Sequence, residues 1–356
     1  MISTDVRHAI ARAVADEGLG PADPGLRPGG APGRYASSVA FASGEQPRPV
    51  AARVAARLAD AEGIAAVEVI GPGFLDITVT PGALAGLPDR IVTAGPDCAS
   101  SDALRGARVA APPAGDPLAQ PSWEKARAAL AAQLTARLAA AAGATPDPAP
   151  GMERTVSSPF SERFAGGGEA TVRYSHREQA PLADPQPQDT ELAAAVAYAG
   201  ADAVRFSLAR VAPGRPAVLD RRIIARHVLG NPAYAVRYAH ARAASGVRWA
   251  ANSRPNTLGR AAVPRHPVAH QAELVLLDAL SWLPERVAMA ARRGRPDEFA
   301  RYLEELASAT VAALICVGYP ANARVAGTDR LSMAKAARTG LAAGLGLLGV
   351  GAPDRL

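Results

Sequence analysis

Residues Asn231–Trp249 read NPAYAVRYAHARAASGVRW, a stretch that predicts one helix. Asn231 suits the N-cap and Pro232 the first helical position, where a missing N–H costs nothing and φ is preset. No breaker follows until Gly246. Tyr234, Tyr238, Ala241 and Ser245 recur at helical spacing, so two phenols share a face with Arg237, Arg242 and Arg248 beside it. Such a face can stack on bases and hold phosphates, each stacked base contributing about 1–3 kcal/mol. The competing reading is a core helix that packs its tyrosines and snorkels its arginines.

Charge bears on that choice. The 356-residue chain is long enough for two or three domains, each with a core. Lys125 and Lys335 are its only lysines, so arginine carries the positive charge throughout, and arginine in place of lysine does not by itself signal phosphate recognition. Distribution says more: residues 191–356 hold 21 Arg and one Lys against 12 carboxylates, a net +10, which leaves −4 for the first 190 residues of a total of +6. Between Arg205 and Arg265 twelve arginines accompany the single carboxylate Asp220. This pattern suits a polyanion better than a membrane, because no lipidation or amphipathic anchor motif and no apolar run of spanning length goes with it. A solvated, arginine-biased surface is the alternative. No signal peptide is apparent, and Cys98 and Cys316 form no metal or redox motif, so reduced thiols and a cytoplasmic protein are expected.

The wording of the stretch narrows the field. NPAY followed by RYAHAR closely resembles the start of the anticodon-binding domain of arginyl-tRNA synthetases, which typically reads Asn-Pro-x-Tyr-Tyr-x-Gln-Tyr-Ala-His-Ala-Arg. The resemblance implies a DALR-type helical bundle over 191–356. It also implies tRNA as partner and Tyr234, Arg237, Tyr238, Arg242 and Arg248 as anticodon contacts, with Tyr238 and Arg242 foremost. Ala235 stands where the family has its second Tyr, and Ala313 and Leu314 stand where it has an aromatic pair. ADAVRFSLAR, Ala201–Arg210, is similar to the segment leading from the synthetase catalytic domain into the anticodon-binding one, and Arg330-Leu331 through GLLGVGAPD resembles the family's C-terminus.

The N-terminal part reads as a small α/β domain. Residues 3–15 predict a helix capped by Ser3 or Thr4, with Val6, Ile10 and Val14 as its buried stripe. Gly18–Gly33 predicts loop, Arg34–Ser38 an extended piece, and Pro47 and Pro49 open a second helix with Val50, Val54 and Leu58 inward. Val67–Ile70 and Phe74–Thr80 predict strands around the turn Gly71-Pro72-Gly73. Leu75, Ile77 and Val79 point one way and Phe74, Asp76, Thr78 and Thr80 the other, so an aromatic starts the polar face. That Phe is either covered by a loop or touches a partner. GAPGRYASS, residues 30–38, and GPGFLD, residues 71–76, look like the N-terminal additional domain of arginyl-tRNA synthetases, where Gly-Pro-Gly-Phe-x-Asn presents an aromatic and an amide to the tRNA elbow. Carried over, Phe74 stacks at the elbow and residue 76 hydrogen-bonds there. Residue 76 is Asp, with acceptors only, and Arg34 and Ser38 stand where the family usually has Asp and Asn.

Between them, 96–190 predicts a linker or reduced middle region holding one Ala-rich helix, Ser122–Ala142, with Ser122 as cap and Trp123, Leu130, Leu134 and Leu138 apolar. Beyond it, Glu191–Val211, Asp220–Leu229, Gln271–Arg293, Pro296–Val317 and a last helix capped by Asp329 complete a bundle. The family's catalytic domain needs a His-x-Gly-His element at a helix N-terminus and a mobile loop that brings a cation to the phosphates. His8, His176, His227, His240, His266 and His270 form no such element, and Ser332-Met333-Ala334-Lys335 falls inside the terminal helix. His266-Pro-Val-Ala-His270 lacks a third metal ligand, and Gly166–Gly168 is followed by no phosphate-loop residues. His240 reads as a packed, hydrogen-bonded residue. The expectation is an α+β protein: N-terminal additional domain 1–95 with an antiparallel sheet, middle region 96–190, anticodon-binding bundle 191–356. It is expected to bind tRNA without catalytic residues, metal or cofactor, and without membrane or DNA contacts; a catalytic synthetase or another tRNA-dependent enzyme is a second candidate partner. A divergent arginine-tRNA ligase using ATP, alone or as a trans-acting subunit, and a protein-interaction scaffold are the alternatives.

Overall fold

The computed structural model describes residues 2–20, 23–111, 114–147, 189–217, 219–252, 267–315 and 327–356; side chains at 189–190, 252, 267–270, 315 and 327–330 are outside the description. The His266–His270 spacing, Gly166–Gly168 and Cys316 therefore lie outside the described residues, and Asp329, expected as the cap of the last helix, stands inside it, since that helix begins at Gly327.

The N-terminal part opens with α1 (Ile2–Asp16), which buries Ile2, Val6, Ile10 and Val14 as its spacing requires. The helix begins a residue before the expected caps, and Ser3 Oγ donates instead to the distant Ser281 carbonyl at 2.6 Å. The stretch expected as loop holds a two-residue strand, β1 (Arg27–Pro28), paired to β2 (Arg34–Ser37). After α2 (Pro47–Leu58) come β3 (Ile64–Ile70) and β4 (Phe74–Val79), so β3 starts three residues earlier than its apolar run suggested. The sheet is antiparallel with order β1-β2-β4-β3. Leu75, Ile77 and Val79 face the core, as the alternation required. The turn at Gly71–Gly73 admits only glycine at its second corner: Gly73 has φ +143°, and a Cβ there would lie 2.7 Å from the Pro47 backbone.

Two short helices, α3 (Pro81–Ala85) and α4 (Leu87–Ala94), lead out of the sheet. The middle region then forms a crossover: β5 (Arg108–Val109) and β6 (Thr145–Pro146) pair in parallel through α5 (Trp123–Ala141). Parallel neighbours require such a connection. Trp123, Leu130, Leu134 and Leu138 are buried, and α5 packs on helices of the C-terminal part.

That part contains α6 (Asp189–Ala199), α7 (Ala201–Ala209), α8 (Arg221–Ile224), α9 (Pro232–Asn252), α10 (Pro267–Ser281), α11 (Leu283–Arg293), α12 (Pro296–Ile315) and α13 (Gly327–Leu347). Three expected helices are corrected. Glu191–Val211 is bent by 118° at Gly200, which takes φ +85°. Asp220–Leu229 is helical only over Arg221–Ile224. Gln271–Arg293 breaks at Trp282, ahead of Pro284. Helix α9 lies against α12 and α13, and Phe299, Leu303, Leu306, Leu341, Leu345 and Leu348 fill the space between helices. Among the described residues no single helix is long and apolar enough to cross a membrane.

The sheet domain is docked on the bundle by specific contacts. Ser281 Oγ donates to the Asp278 carbonyl at 2.7 Å, so the Tyr35 hydroxyl, 2.7 Å away, is the donor to Ser281. The Tyr35 ring sits on Trp282 with centroids 4.9 Å apart. Gly33 N–H donates to Asp278 at 3.0 Å. The Arg7 guanidinium makes a two-pronged contact to Glu285, both groups buried. One hydrophobic cluster runs through both parts.

Candidate nucleic-acid interface

Two separate aromatic surfaces emerge from this fold. The first is on the outer side of the sheet. Phe74, 42% exposed at the start of β4, lies beside Phe41 of the short helix Val39–Ala42, with ring centroids 4.7 Å apart and planes tilted by 43°. Ile70, opposite Phe74 in the ladder, is exposed too. Arg48 Nη1 donates to the Gly71 carbonyl at 2.9 Å, bringing a cation to the edge of the same turn. Asp76 does not share this exposure: it is 9% exposed, and its Oδ2 accepts from Arg34. Arg34 faces Thr78 and Asp76 faces Ala36 across the β2–β4 ladder, so the ion pair is a diagonal one. The elbow position expected to read a base edge is thus occupied by an internal charge pair.

The second surface is built on α9. Tyr234 and Tyr238 lie one turn apart with centroids at 5.8 Å and planes at 26°. Both are half-buried. Arg237 and Arg242 flank them, and the Nε of each is buried without a hydrogen-bond partner among the described residues. Arg237 Nη2 reaches Asp202 only at 3.9 Å. A buried guanidinium N–H left without an acceptor is costly, and the Nε of Arg34, Arg127 and Arg286 share this condition, so it is not particular to this surface.

Arg248 is engaged differently. Its Nη1 donates to the Asp354 carbonyl at 2.9 Å, and Arg338 holds the Asp354 carboxylate with two contacts of 3.1 and 2.9 Å. His240, buried as expected, hydrogen-bonds the Pro353 carbonyl through Nδ1 at 3.0 Å. Burial pushes this imidazole below its ordinary range, against the opposing effects of that carbonyl and of Asp354, and Arg338 adds to the lowering. Residues Leu347–Asp354 are therefore laid along the helices by Arg137, Arg205, His240, Arg248 and Arg338.

Sequence reasoning missed three features. Phe41 was visible only as one of six phenylalanines in the chain. His227 was noted only as a histidine outside any catalytic element, yet its ring stacks on Tyr234 at 5.2 Å and 13°. Asn231 is buried and its amide does not cap α9; Nδ2 donates to the carbonyls of Ile224 at 2.8 Å and Arg226 at 2.7 Å. Its own carbonyl still accepts the first helical bond, from Ala235 N–H at 2.8 Å.

In the middle crossover Ser122 caps α5 through Lys125 N–H, and Glu124, whose charge in the first turn complements the helix dipole, accepts from Ala217 N–H at 3.0 Å. A groove of 1070 Å³ between α1 and the end of β4, lined by His8, Arg12, Glu62, Thr80 and Arg90, includes none of the aromatic residues above. Among the described residues no group of three or more His, Cys, Asp or Glu is placed to hold a metal ion.

Residues 1–79 match the arginyl tRNA synthetase N terminal domain, and residues 236–356 match the DALR anticodon binding domain. Both ends of the chain belong to the arginyl-tRNA synthetase family. Curated relatives agree: the arginine–tRNA ligase of Micrococcus luteus is 35% identical over 175 residues, 47% of this chain and 31% of that protein. That of Frankia alni is 38% identical over 162 residues, 44% and 29% of the two chains. The chain spans about a third of the length of the curated relatives it matches. Its fold is that of the Thermus thermophilus arginyl-tRNA synthetase, with TM-score 0.62 and 15% identity over alignments spanning 100% of each chain. Residues 80–235, which include β5, α5 and β6, fall between the two matched domains.

Proposed function

We propose that this arginyl-tRNA synthetase relative binds tRNA without aminoacylating it, its sheet domain against the elbow and its helical bundle against the anticodon stem-loop. The observation that carries the reading is the α9 surface, where stacked Tyr234 and Tyr238 share the helix with the half-buried Arg237 and Arg242. Aromatic faces beside cations are what a single-stranded RNA loop requires. The Phe41–Phe74 pair supplies the second contact, by packing rather than base-edge reading, since Asp76 is committed to Arg34. Loss of catalysis is supported by the sequence, in which no His-x-Gly-His element occurs. The proposal includes a cytoplasmic setting, with a catalytic synthetase or another tRNA-dependent enzyme as the partner that uses the bound tRNA.

Titration with unfractionated tRNA at about 50 and about 200 mM KCl tests it: affinity falls steeply with salt, Arg242→Ala flattens that slope, and Tyr238→Ala and Phe74→Ala weaken binding at both concentrations. A chain that forms no salt-sensitive complex is a scaffold. The parallel β5–α5–β6 crossover favours one second reading, a divergent ligase or a trans-acting subunit of one, because doubly wound nucleotide-binding sheets are built of such units. Arginine-dependent exchange of pyrophosphate into ATP, by the chain alone or with cell extract, would establish that reading.

A further inference from the structure

The three rings of the C-terminal surface form a ladder, and its free end is His227 rather than a tyrosine. Tyr234 stacks between His227 at 5.2 Å and Tyr238 at 5.8 Å, with interplanar angles of 13° and 26°. Both tyrosines are half-buried, whereas His227 is exposed and Tyr234 is its one ring contact among the described residues. The outer imidazole face is therefore the place where a further flat ring can join the stack.

The residue is held for that purpose on both sides. Asn231, itself buried, donates to the carbonyls of Ile224 and Arg226, and its own N–H donates to the Val228 carbonyl at 2.9 Å. The carbonyls of the residues before and after His227, Arg226 and Val228, are thus tied down, and among the described residues no hydrogen bond is made by its ring, which leaves a stacking surface held in place before binding. Its surroundings are cationic: Arg222 and Arg226 are exposed, and Arg221 lies over the Tyr198 ring at 5.9 Å. The nearby carboxylate, Asp220, is turned to the Arg222 N–H as a cap at 2.8 Å.

We infer that His227 is the base-stacking platform of this surface, taking an unpaired nucleobase of an RNA loop on its outer face while Arg222 and Arg226 meet the adjoining phosphates. This rests on the tRNA-binding reading and adds to it a residue outside the family motif, with a prediction about ring chemistry. Stacking needs a flat π-face and is indifferent to base identity, so a phenyl ring substitutes for imidazole and an alkyl chain does not.

The test uses the full chain and unfractionated tRNA, with affinities of wild type, His227→Ala, His227→Phe and Tyr238→Ala compared at two salt concentrations. The expected result is a loss of about tenfold in His227→Ala, recovery to within about twofold in His227→Phe, and an unchanged salt slope in both. Thermal melts check that the variants fold as the wild type does. Wild-type affinity in His227→Ala, or equal weakness in His227→Ala and His227→Phe, overturns the platform while tRNA binding by the wild type and its loss in Tyr238→Ala keep the broader reading. A wild-type chain that binds no tRNA overturns both.

Discussion

The Arg34 guanidinium donates to the Asp76 carboxylate diagonally across β2 and β4, joining two positions at which the chain departs from the family's usual Asp and Asn. The two departures are one change: a carboxylate buried on a sheet face needs a cation, and Arg34 supplies it. Arg34→Ala is expected to destabilise the fold by about 1–3 kcal/mol, because Asp76 then has no partner for its charge, while Arg34→Ala with Asp76→Ala lies closer to wild type. Urea denaturation of the three chains measures this. A double variant as weak as the single one would detach the cost from the pair.

The buried Arg7–Glu285 contact joins α1 to α11. Glu285→Gln leaves a buried guanidinium with Asp23 at 3.3 Å as its remaining carboxylate and is expected to cost about 3–5 kcal/mol. Replacing both residues, Arg7→Met with Glu285→Leu, is expected to recover most of that loss, since an apolar pair has no charge to desolvate. Chemical denaturation curves of the single and double variants separate the outcomes.

Asn231 acts as a donor, so its conservative replacement is the harmful one. Asn231→Asp sets a carboxylate against the carbonyl oxygens of Ile224 and Arg226 and is expected to lower stability by about 2 kcal/mol more than Asn231→Ala, which only removes the two hydrogen bonds. A melting comparison in which Asp is tolerated better than Ala would show that the residue serves α9 as an ordinary cap.

His240 makes stability depend on pH. Its folded value is depressed by burial, so the unfolded chain binds the proton more readily. The stabilisation is fully present above the ordinary imidazole value of about 6.5 and is lost as pH falls from there toward the folded value. Between about pH 7.5 and about pH 5.5 the wild-type melting temperature should drop further than that of His240→Asn, a polar residue that does not titrate there. Equal drops would assign the acid sensitivity elsewhere.

Much of the fold could be read from local pattern. Helix α9 was legible because Asn-Pro and an unbroken periodicity lie within one stretch, and β4 because its alternation is strict. The bend at Gly200 was not, since the alanine-rich surroundings propagate a helix equally well through it. Asn231 was misread for a related reason: propensity describes what a residue can do for its own helix, whereas its partners, Ile224 and Arg226, were settled by the turn that precedes it. The bonds from Ser3 and Tyr35 to Ser281 span 278 and 246 positions and leave no trace in spacing. At the candidate interface the tyrosines and arginines of α9 were visible and the stack that His227 makes with them was not, because stacking is a property of two chain directions and not of one.

The seam between sheet and bundle, with Tyr35 on Trp282 and Gly33 tied to Asp278, has a mechanical corollary. The elements that bear Phe74 and Tyr238 are packed on a single core, so under the proposed function an RNA that touches both rings meets a gauge of set span. Such a gauge admits molecules by their dimensions before any base is read, and a duplex or a truncated arm that falls short of the span gains only one of the two footholds.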